Sequence, residues 1–354
     1  MGCFQSKEAK RAAAYKLGEV ESPKGKGDID DGQPKYSWER KRADPKDFMF
    51  DGLKGETACK GPGSINGQGF VMQNCEDCDL FLLDYVDSVQ IDECKNCRIF
   101  IGPTEASIFI RDCVDCKCFF ICRQYRTRDC KDCVTLLSCA TRPVIESSKN
   151  MRMGCFDGHY EGIDQHLAAA QMTEFQNFWS HIFDFTPGKN NWSFLPPEIT
   201  VASLLQNVPD DPVFAGVKEL ENPPVMLRTW GERPPPSSEQ CLVLFPPRHS
   251  DEAREFISRA VGAGATLLRT NEVKLDEAMA TSVLSKAGKS DSATVKAFSR
   301  PGKAVISLQF CGDGSTAQIE ALAKASGDAI FTANADAASE MAYAGIDGGT
   351  TFAA

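Results

Sequence analysis

No run of apolar residues in the sequence approaches the roughly 20 that a membrane-spanning helix needs, and no apolar stretch near the N-terminus has the form of a secretory signal. The expected compartment is the cytosol, where thiols stay reduced. Positive charge is in short supply. The 39 Lys and Arg stand against 49 Asp and Glu, for a net charge of −10. That excludes a nucleic-acid binder whose affinity comes from a broad basic surface. Large apolar residues are almost absent from the first 35 positions after Phe4, so residues 1–35 read as a disordered arm.

Cysteine is abundant, at 16 residues. In a reducing compartment these are buried thiols or metal ligands rather than disulfides. The bulk composition, 42% hydrophobic and 25% charged, is globular, and 354 residues suffice for two domains. Order is expected from Tyr36-Ser37-Trp38 onward. Residues 36–200 form a first domain, and 201–238, with Pro223-Pro224 and Pro234-Pro235-Pro236, a semi-rigid linker. From 239 to 335 apolar strands alternate with helical patterns: Cys241–Phe245, Ala265–Arg269, Ala304–Phe310 and Ala329–Thr332 as strands, 251–261, 276–284 and 316–325 as helices. Ser250 is the candidate N-cap of the first helix. That order suits a small α/β domain with helices on one face of a sheet. The Ala/Gly-rich tail 336–354 reads as loose. Leu167, Met172, Phe175, Phe178 and Trp179 approximate helical spacing, so one helix is expected within 160–185.

Four Cys-x-x-Cys pairs, Cys75/Cys78, Cys94/Cys97, Cys113/Cys116 and Cys130/Cys133, begin 19, 19 and 17 residues apart. Each stands between an acidic or Asn residue and a short apolar run, as in Asn74-Cys75-Glu76-Asp77-Cys78 and Asp112-Cys113-Val114-Asp115-Cys116. A fixed period with a fixed context is the mark of a solenoid. About 18 residues fit one coil of a β-helix made of three short strands. The competing reading is zinc, since paired Cys-x-x-Cys motifs supply four thiolates at a usable spacing. Against it, the apolar strand after each pair repeats as faithfully as the cysteines. Small thiols also stack readily from coil to coil in a solenoid interior. The expectation is therefore no metal.

Two further segments carry chemistry. The chain opens Met1-Gly2-Cys3-Phe4-Gln5-Ser6. Gly2 with Ser6 matches the N-myristoylation pattern, and Cys3 is a palmitoylation candidate. One acyl chain anchors only marginally, so Cys3 and the basic Lys7, Lys10, Arg11 and Lys16 would complete the anchor. Within the repeat, Arg123-Gln124-Tyr125-Arg126-Thr127-Arg128 alternates so that Gln124, Arg126 and Arg128 share one face. On its own such a row is usually a solvated strand face.

The cysteine repeat, this arginine strand and Cys139-Ala140-Thr141-Arg142-Pro143-Val144-Ile145-Glu146-Ser147 resemble the domain of tubulin-folding cofactor C. A closer likeness to a two-domain member of that family takes in the Met-Gly-Cys-Phe start, Tyr36-Ser37-Trp38, Asp44-Pro45-Lys46-Asp47, Asp184-Phe185-Thr186-Pro187 and Asn191-Trp192-Ser193. The resemblance implies a right-handed parallel β-helix followed by a ferredoxin-like, nucleoside-diphosphate-kinase-like domain. It implies a GTPase-activating protein for a GTP-bound Arf-like small GTPase of ciliary trafficking and protein transport. That protein would act at the cytoplasmic face of the plasma membrane, in the cilium or basal body region, or in the cytoplasm. Arg126 falls at the position of the catalytic arginine, and Arg123, Gln124, Arg128 and Glu146 at partner-binding positions. No cofactor is implied, because GTP and magnesium belong to the partner. Two rival readings stand beside it: a non-catalytic effector, and, from the wider family, a tubulin-folding factor with tubulin as partner. One departure stands out: the family usually has Gln-Gln before the aromatic residue, and here Arg123 takes the first place. In the second domain His249 is the only histidine, in a context unlike a phosphate-accepting one. That domain is expected to dock rather than phosphorylate, and Gly312-Asp313-Gly314-Ser315 to be a helix-capping turn rather than an anion site.

Overall fold

In the computed structural model the corners made by the Cys-x-x-Cys pairs organise the N-terminal part. The residue before each cysteine is left-handed: Asn74, Asp77, Glu93, Asn96, Asp112, Asp115, Asp129 and Asp132 all have φ between 50° and 56°. Asn and Asp enter that region at less cost than other residues with a side chain, which accounts for the polar context of the repeat. Each pair of left-handed residues turns the chain and buries both cysteines. A fifth corner, at Ser147 (φ 48°) and Asn150 (φ 54°), has Ser148 and Met151 in the cysteine places. The Cys94 N–H donates to Cys113 Sγ at 3.4 Å, and the Cys130 N–H donates in the same way to Ser148 Oγ at 3.0 Å. Serine thus extends the column, and its different letter hid the fifth corner from the sequence pattern.

The structure describes residues 44–206, 217 and 225–346. They fall in one compact unit, Asp44–Ala354. Gly2, Cys3 and Tyr36–Trp38 lie outside the described residues. After a 3₁₀ turn at Pro45–Phe48 come β1 (Met49–Asp51), β2 (Thr57–Lys60), β3 (Phe70–Gln73), β4 (Asp79–Leu82), β5 (Val89–Asp92), β6 (Arg98–Arg111), β7 (Lys117–Arg128), β8 (Val134–Cys139), β9 (Val144–Glu146) and β10 (Met151–Cys155). Then follow α1 (Ile163–Ala169), β11 (Phe183–Asp184), β12 (Trp192–Phe194) and the one-turn α2 (Val201–Leu204). All β1–β12 pairings are parallel, in two ladders that share the long β6 and β7. One ladder runs β2-β4-β6-β7-β8-β10-β12 and the other β1-β3-β5-β6-β7-β9-β11. The third side of each coil is only a bridge between corners, from Lys54 through Glu76, Lys95, Val114 and Lys131 to Lys149. The expected three strands per coil are therefore two strands and a corner, because two left-handed residues in so short a span leave no room for a third.

Inside, the cysteines stack beneath Leu, Ile, Val and Met side chains that are all but fully buried. Each such aliphatic contributes about 1.5–3 kcal/mol relative to exposure. Outside the first ladder, Phe81, Phe100 and Phe119 stack with ring centroids 6.3 Å apart. Ile163 and Leu167 of α1 cover them. The helix stops there and Gln171 is left-handed at φ 50°. The helical spacing of Phe175, Phe178 and Trp179 does not make a helix, because these residues serve two cores. Phe175 packs with the second domain, and Trp179 with the β-helix interior.

The second domain comprises β13 (Gln240–Phe245), α3 (Ser250–Gly262), β14 (Thr266–Val273), α4 (Glu277–Lys286), α5 (Ser292–Phe298), β15 (Val305–Cys311), α6 (Ser315–Ala325), β16 (Ile330–Thr332) and α7 (Ala335–Ala342). The sheet is antiparallel in the ferredoxin-like order β14-β15-β13-β16. Helices cover both faces, not one. Phe256, Ile257 and Ile319 of α3 and α6 meet Cys241, Val243 and Phe245. Val283, Leu284, Val295, Phe298 and Met341 of α4, α5 and α7 meet Leu242 and Leu244. The tail is not loose where it is described, since α7 buries Ala337, Ala338 and Met341 on that second face. The N-cap of α3 is His249 rather than Ser250. At Gly314 the backbone N–H donates to the Glu239 carboxylate at 3.0 Å, so the chain itself fills the start of α6.

Among the described residues no group of three or more His, Cys, Asp or Glu is placed to hold a metal ion. A chelator should leave the β-sheet circular dichroism unchanged, whereas a structural zinc worth about 10–16 kcal/mol would unfold on its removal. At the corner, Asp115→Val should destabilise by about 1–3 kcal/mol and Asp115→Gly by much less in chemical denaturation, because only the former strains a positive φ.

Candidate functional site

The C-terminal half of β7 is the site. Strand alternation turns Tyr125 and Thr127 inward, where both are buried and the Tyr125 hydroxyl meets Thr135 Oγ1 at 3.3 Å. Burial raises the Tyr125 pKa well above its usual value, so it is a neutral core residue. Gln124, Arg126 and Arg128 point outward, as the alternation implied, with Arg126 and Arg128 exposed. Parallel pairing then sets their neighbours. Ser107, Phe109 and Arg111 of β6 stand beside Gln124, Arg126 and Arg128. Val144 and Glu146 of β9 stand on the other side of Arg126 and Arg128. Phe183 of β11 follows Val144.

Two rows result. Arg126 lies in an apolar row between Phe109 and the pair Val144–Phe183. Below it runs a row of charge: Asp92, Arg111, Arg128 and Glu146. Arg111 forks onto Asp92 at 2.7 Å, with its guanidinium carbon 5.1 Å from the centre of the Phe109 ring. Arg128 lies 3.1 Å from Asp129 and 3.9 Å from Glu146. Gln124 Oε1 accepts from Ser107 Oγ at 3.3 Å. The structure therefore brings Arg126, Arg128, Gln124 and Glu146 onto one face. Glu146 is registered against Arg128 rather than Arg126. Arg123 points elsewhere: its Nε donates to the Glu105 carbonyl at 2.7 Å.

The sequence reading missed the apolar part of this face. Phe183 and Phe185 are 40% and 51% exposed and pack edge to face at 5.1 Å. The alternation Phe183-Asp184-Phe185 was the available signal, since two aromatics on one side of an edge strand cannot both enter a closed solenoid. This edge is gripped from behind by the second domain and the segment that leads into it. Trp179 Nε1 donates to Thr229 Oγ1 at 2.9 Å, and Arg254 pairs with the buried Glu174. His181 packs tilted against Tyr343 with centroids 4.9 Å apart and lies 3.9 Å from Glu232, which accepts from Arg269 Nε at 2.9 Å. Burial works against ionising Glu232, but the hydrogen bonds and charges of His181 and Arg269 outweigh it and hold its pKa at about 2.

The family described as Tubulin binding cofactor C matches residues 67–185. Protein XRP2 of Xenopus laevis is 41% identical over 89% of this chain and 88% of its own length. Protein XRP2 of Homo sapiens is likewise 41% identical, over 89% of this chain and 88% of its own length. The chain belongs to the XRP2 family. A Tubulin-folding cofactor C of Arabidopsis thaliana is 33% identical over 22% of this chain and 28% of its own. The solved Tubulin Binding Cofactor C from Leishmania major covers 34% of this chain and 85% of that one at 21% identity, with a TM-score of 0.30. The XRP2 relatives thus extend the likeness beyond the solenoid to most of the chain.

Because the folded pKa of Glu232 is depressed, its contribution to stability is complete above the ordinary carboxylate range. That contribution is lost as the pH falls through about 2. Denaturation followed from pH 6 downward should show stability declining below about pH 4.5, and Glu232→Gln should remove that part of the decline while lowering stability at neutral pH.

Proposed function

We propose that this chain is a GTPase-activating protein for an Arf-like small GTPase, with Arg126 as the arginine supplied in trans. The observation that carries the proposal is the exposed guanidinium of Arg126 set in an apolar row, Phe109 to Phe183, on a rigid parallel sheet. Phosphoryl transfer spreads negative charge over the γ-phosphate oxygens. A planar, permanently charged fork offers donors to that charge as it develops. The flanking Phe109, Val144 and Phe183 exclude water once a partner surface covers them, which strengthens each charge-assisted hydrogen bond. Gln124, Arg128 and Glu146 border the row and supply polar contacts around it. GTP and magnesium are the partner's. The acyl anchor at Gly2 and Cys3 would hold the chain at the cytoplasmic membrane face, where ciliary traffic of lipidated cargo passes. The second domain serves as the brace of the β11 edge.

An effector that binds the GTP-loaded partner without accelerating hydrolysis is the second reading. Arg123, in place of the glutamine that the family resemblance leads one to expect, favours it. Tubulin folding has the weaker support, since the tubulin-related likeness covers residues 67–185 and, for the Arabidopsis relative, 22% of the chain.

In single-turnover hydrolysis by GTP-loaded Arf-like GTPases, the wild-type chain should accelerate the reaction by about 10³–10⁵, equivalent to roughly 4–7 kcal/mol of barrier. Arg126→Ala should abolish the acceleration and keep binding, and Arg126→Lys should also fail, since it keeps the charge without the fork. Binding by the wild type with no acceleration would establish the effector reading instead.

A further inference from the structure

The arginine strand carries a second arginine turned back onto its own chain. Opposite Phe120–Gln124 of β7, strand β6 has two one-residue bulges, between Ile101 and Thr104 and between Thr104 and Ser107. Arg123 faces the second. Its Nε donates to the Glu105 carbonyl at 2.7 Å, and its Nη2 donates to the carbonyls of Gln171 at 3.2 Å and Ala170 at 3.5 Å. Ala170 and Gln171 close α1. Carbonyls at a helix C-terminus lack intrahelical donors and carry partial negative charge, so a cation there is favoured. Gln171, left-handed at φ 50°, adds a contact from its Nε2 to Glu105 Oε1 at 3.4 Å. Within α1 itself, His166 Nδ1 meets the Tyr160 hydroxyl at 2.8 Å, and its Nε2 lies 3.5 Å from the buried Asp84. The backbone of Arg123 is fixed as well, its carbonyl accepting from Thr141 Oγ1 at 2.9 Å.

We infer that Arg123 is a positioning residue of the arginine strand, clamping the β6 bulge to the end of α1 and so setting β7 three residues before Arg126. The inference rests on the reading of Arg126 given above. It also revises the expectation, carried by the family resemblance, that Arg123 meets the partner. The chemistry suits arginine alone. Five N–H donors in a rigid fork can serve carbonyls on two elements at once. A glutamine has two donors on one nitrogen and a shorter reach, so it cannot span from Glu105 to Gln171. A bulge breaks the ladder locally and leaves the strand free to shift. The clamp restores the tie at the point where β7 would otherwise move.

The test is hydrogen exchange on the full chain, read beside single-turnover hydrolysis with the GTP-loaded GTPase. In Arg123→Gln the amides of 105–106 and 170–172 should exchange roughly tenfold faster, in line with the loss of charge-assisted hydrogen bonds. The rate of hydrolysis in the complex should fall while the dissociation constant stays within about twofold. Arg123→Lys, which keeps the charge and reaches one carbonyl, should restore part of both. It is also the variant to read if Arg123→Gln does not fold. Unchanged exchange at both segments would overturn the inference, as would a weakened complex with an undiminished rate inside it, the signature of a partner contact. If the wild-type chain accelerates nothing, the activator reading fails, and the exchange result still decides whether the clamp exists.

Discussion

Everything on the functional face depends on the corner between coils. Two left-handed residues, three apart, return the chain and drop two small side chains into the interior. Because each corner repeats its predecessor, the strands that leave it arrive in parallel register. Without that register, Phe109, Arg126, Val144 and Phe183 would not stand in a row. The columns of cysteine are the consequence of the corner rather than its cause: the fifth corner works with serine and methionine. A thiol is small, weakly polar and content in an apolar interior, and its S–H reaches the backbone carbonyl two residues back, as at Cys75 and Gln73 at 3.3 Å.

The second domain follows the same logic at a different scale. A solenoid needs its last coil covered, since an open end exposes backbone groups and apolar surface. Here the segment from Glu174 to Phe185 leaves the solenoid, lends Phe175 to the other core, and returns as the last rung of the arginine face. The Trp179–Thr229, Glu174–Arg254 and His181–Glu232 contacts bind that segment. Three rings and one guanidinium gather at this seam, with Arg233 lying 5.0–5.9 Å from Trp179, Phe194 and Trp230. The domain with the ferredoxin-like strand order thus packs against the segment that carries the β11 edge.

Much of this was legible in the chain. The period of the cysteines and the acidic or Asn residue before each gave the solenoid, and strand alternation gave the outward face of Gln124, Arg126 and Arg128. Four features were not legible, each for a physical reason. The aromatic flank needs strand register, which joins Phe109 to Phe183 across more than seventy positions. Helical spacing in 167–179 was a coincidence of two cores sharing one segment. The direction of Arg123 depended on bulges in a neighbouring strand and on where a short helix ends, and neither is written in local composition. Of the helices on the second face of the α/β sheet α4 was expected, whereas α5 and α7 were missed because α5 is short and α7 lies in an Ala-rich stretch that reads as tail.

In the proposed role Arg126 meets charge that exists only as the γ-phosphate is transferred. The most direct measurement is affinity for a partner GTPase loaded with GDP and aluminium fluoride, a transition-state mimic, against the same GTPase loaded with a non-hydrolysable GTP analogue. Binding to the mimic should be tighter by about 10²-fold or more, with that excess lost in Arg126→Ala while affinity for the analogue is kept. Equal affinity for the two states, or an excess that survives the loss of Arg126, would contradict it.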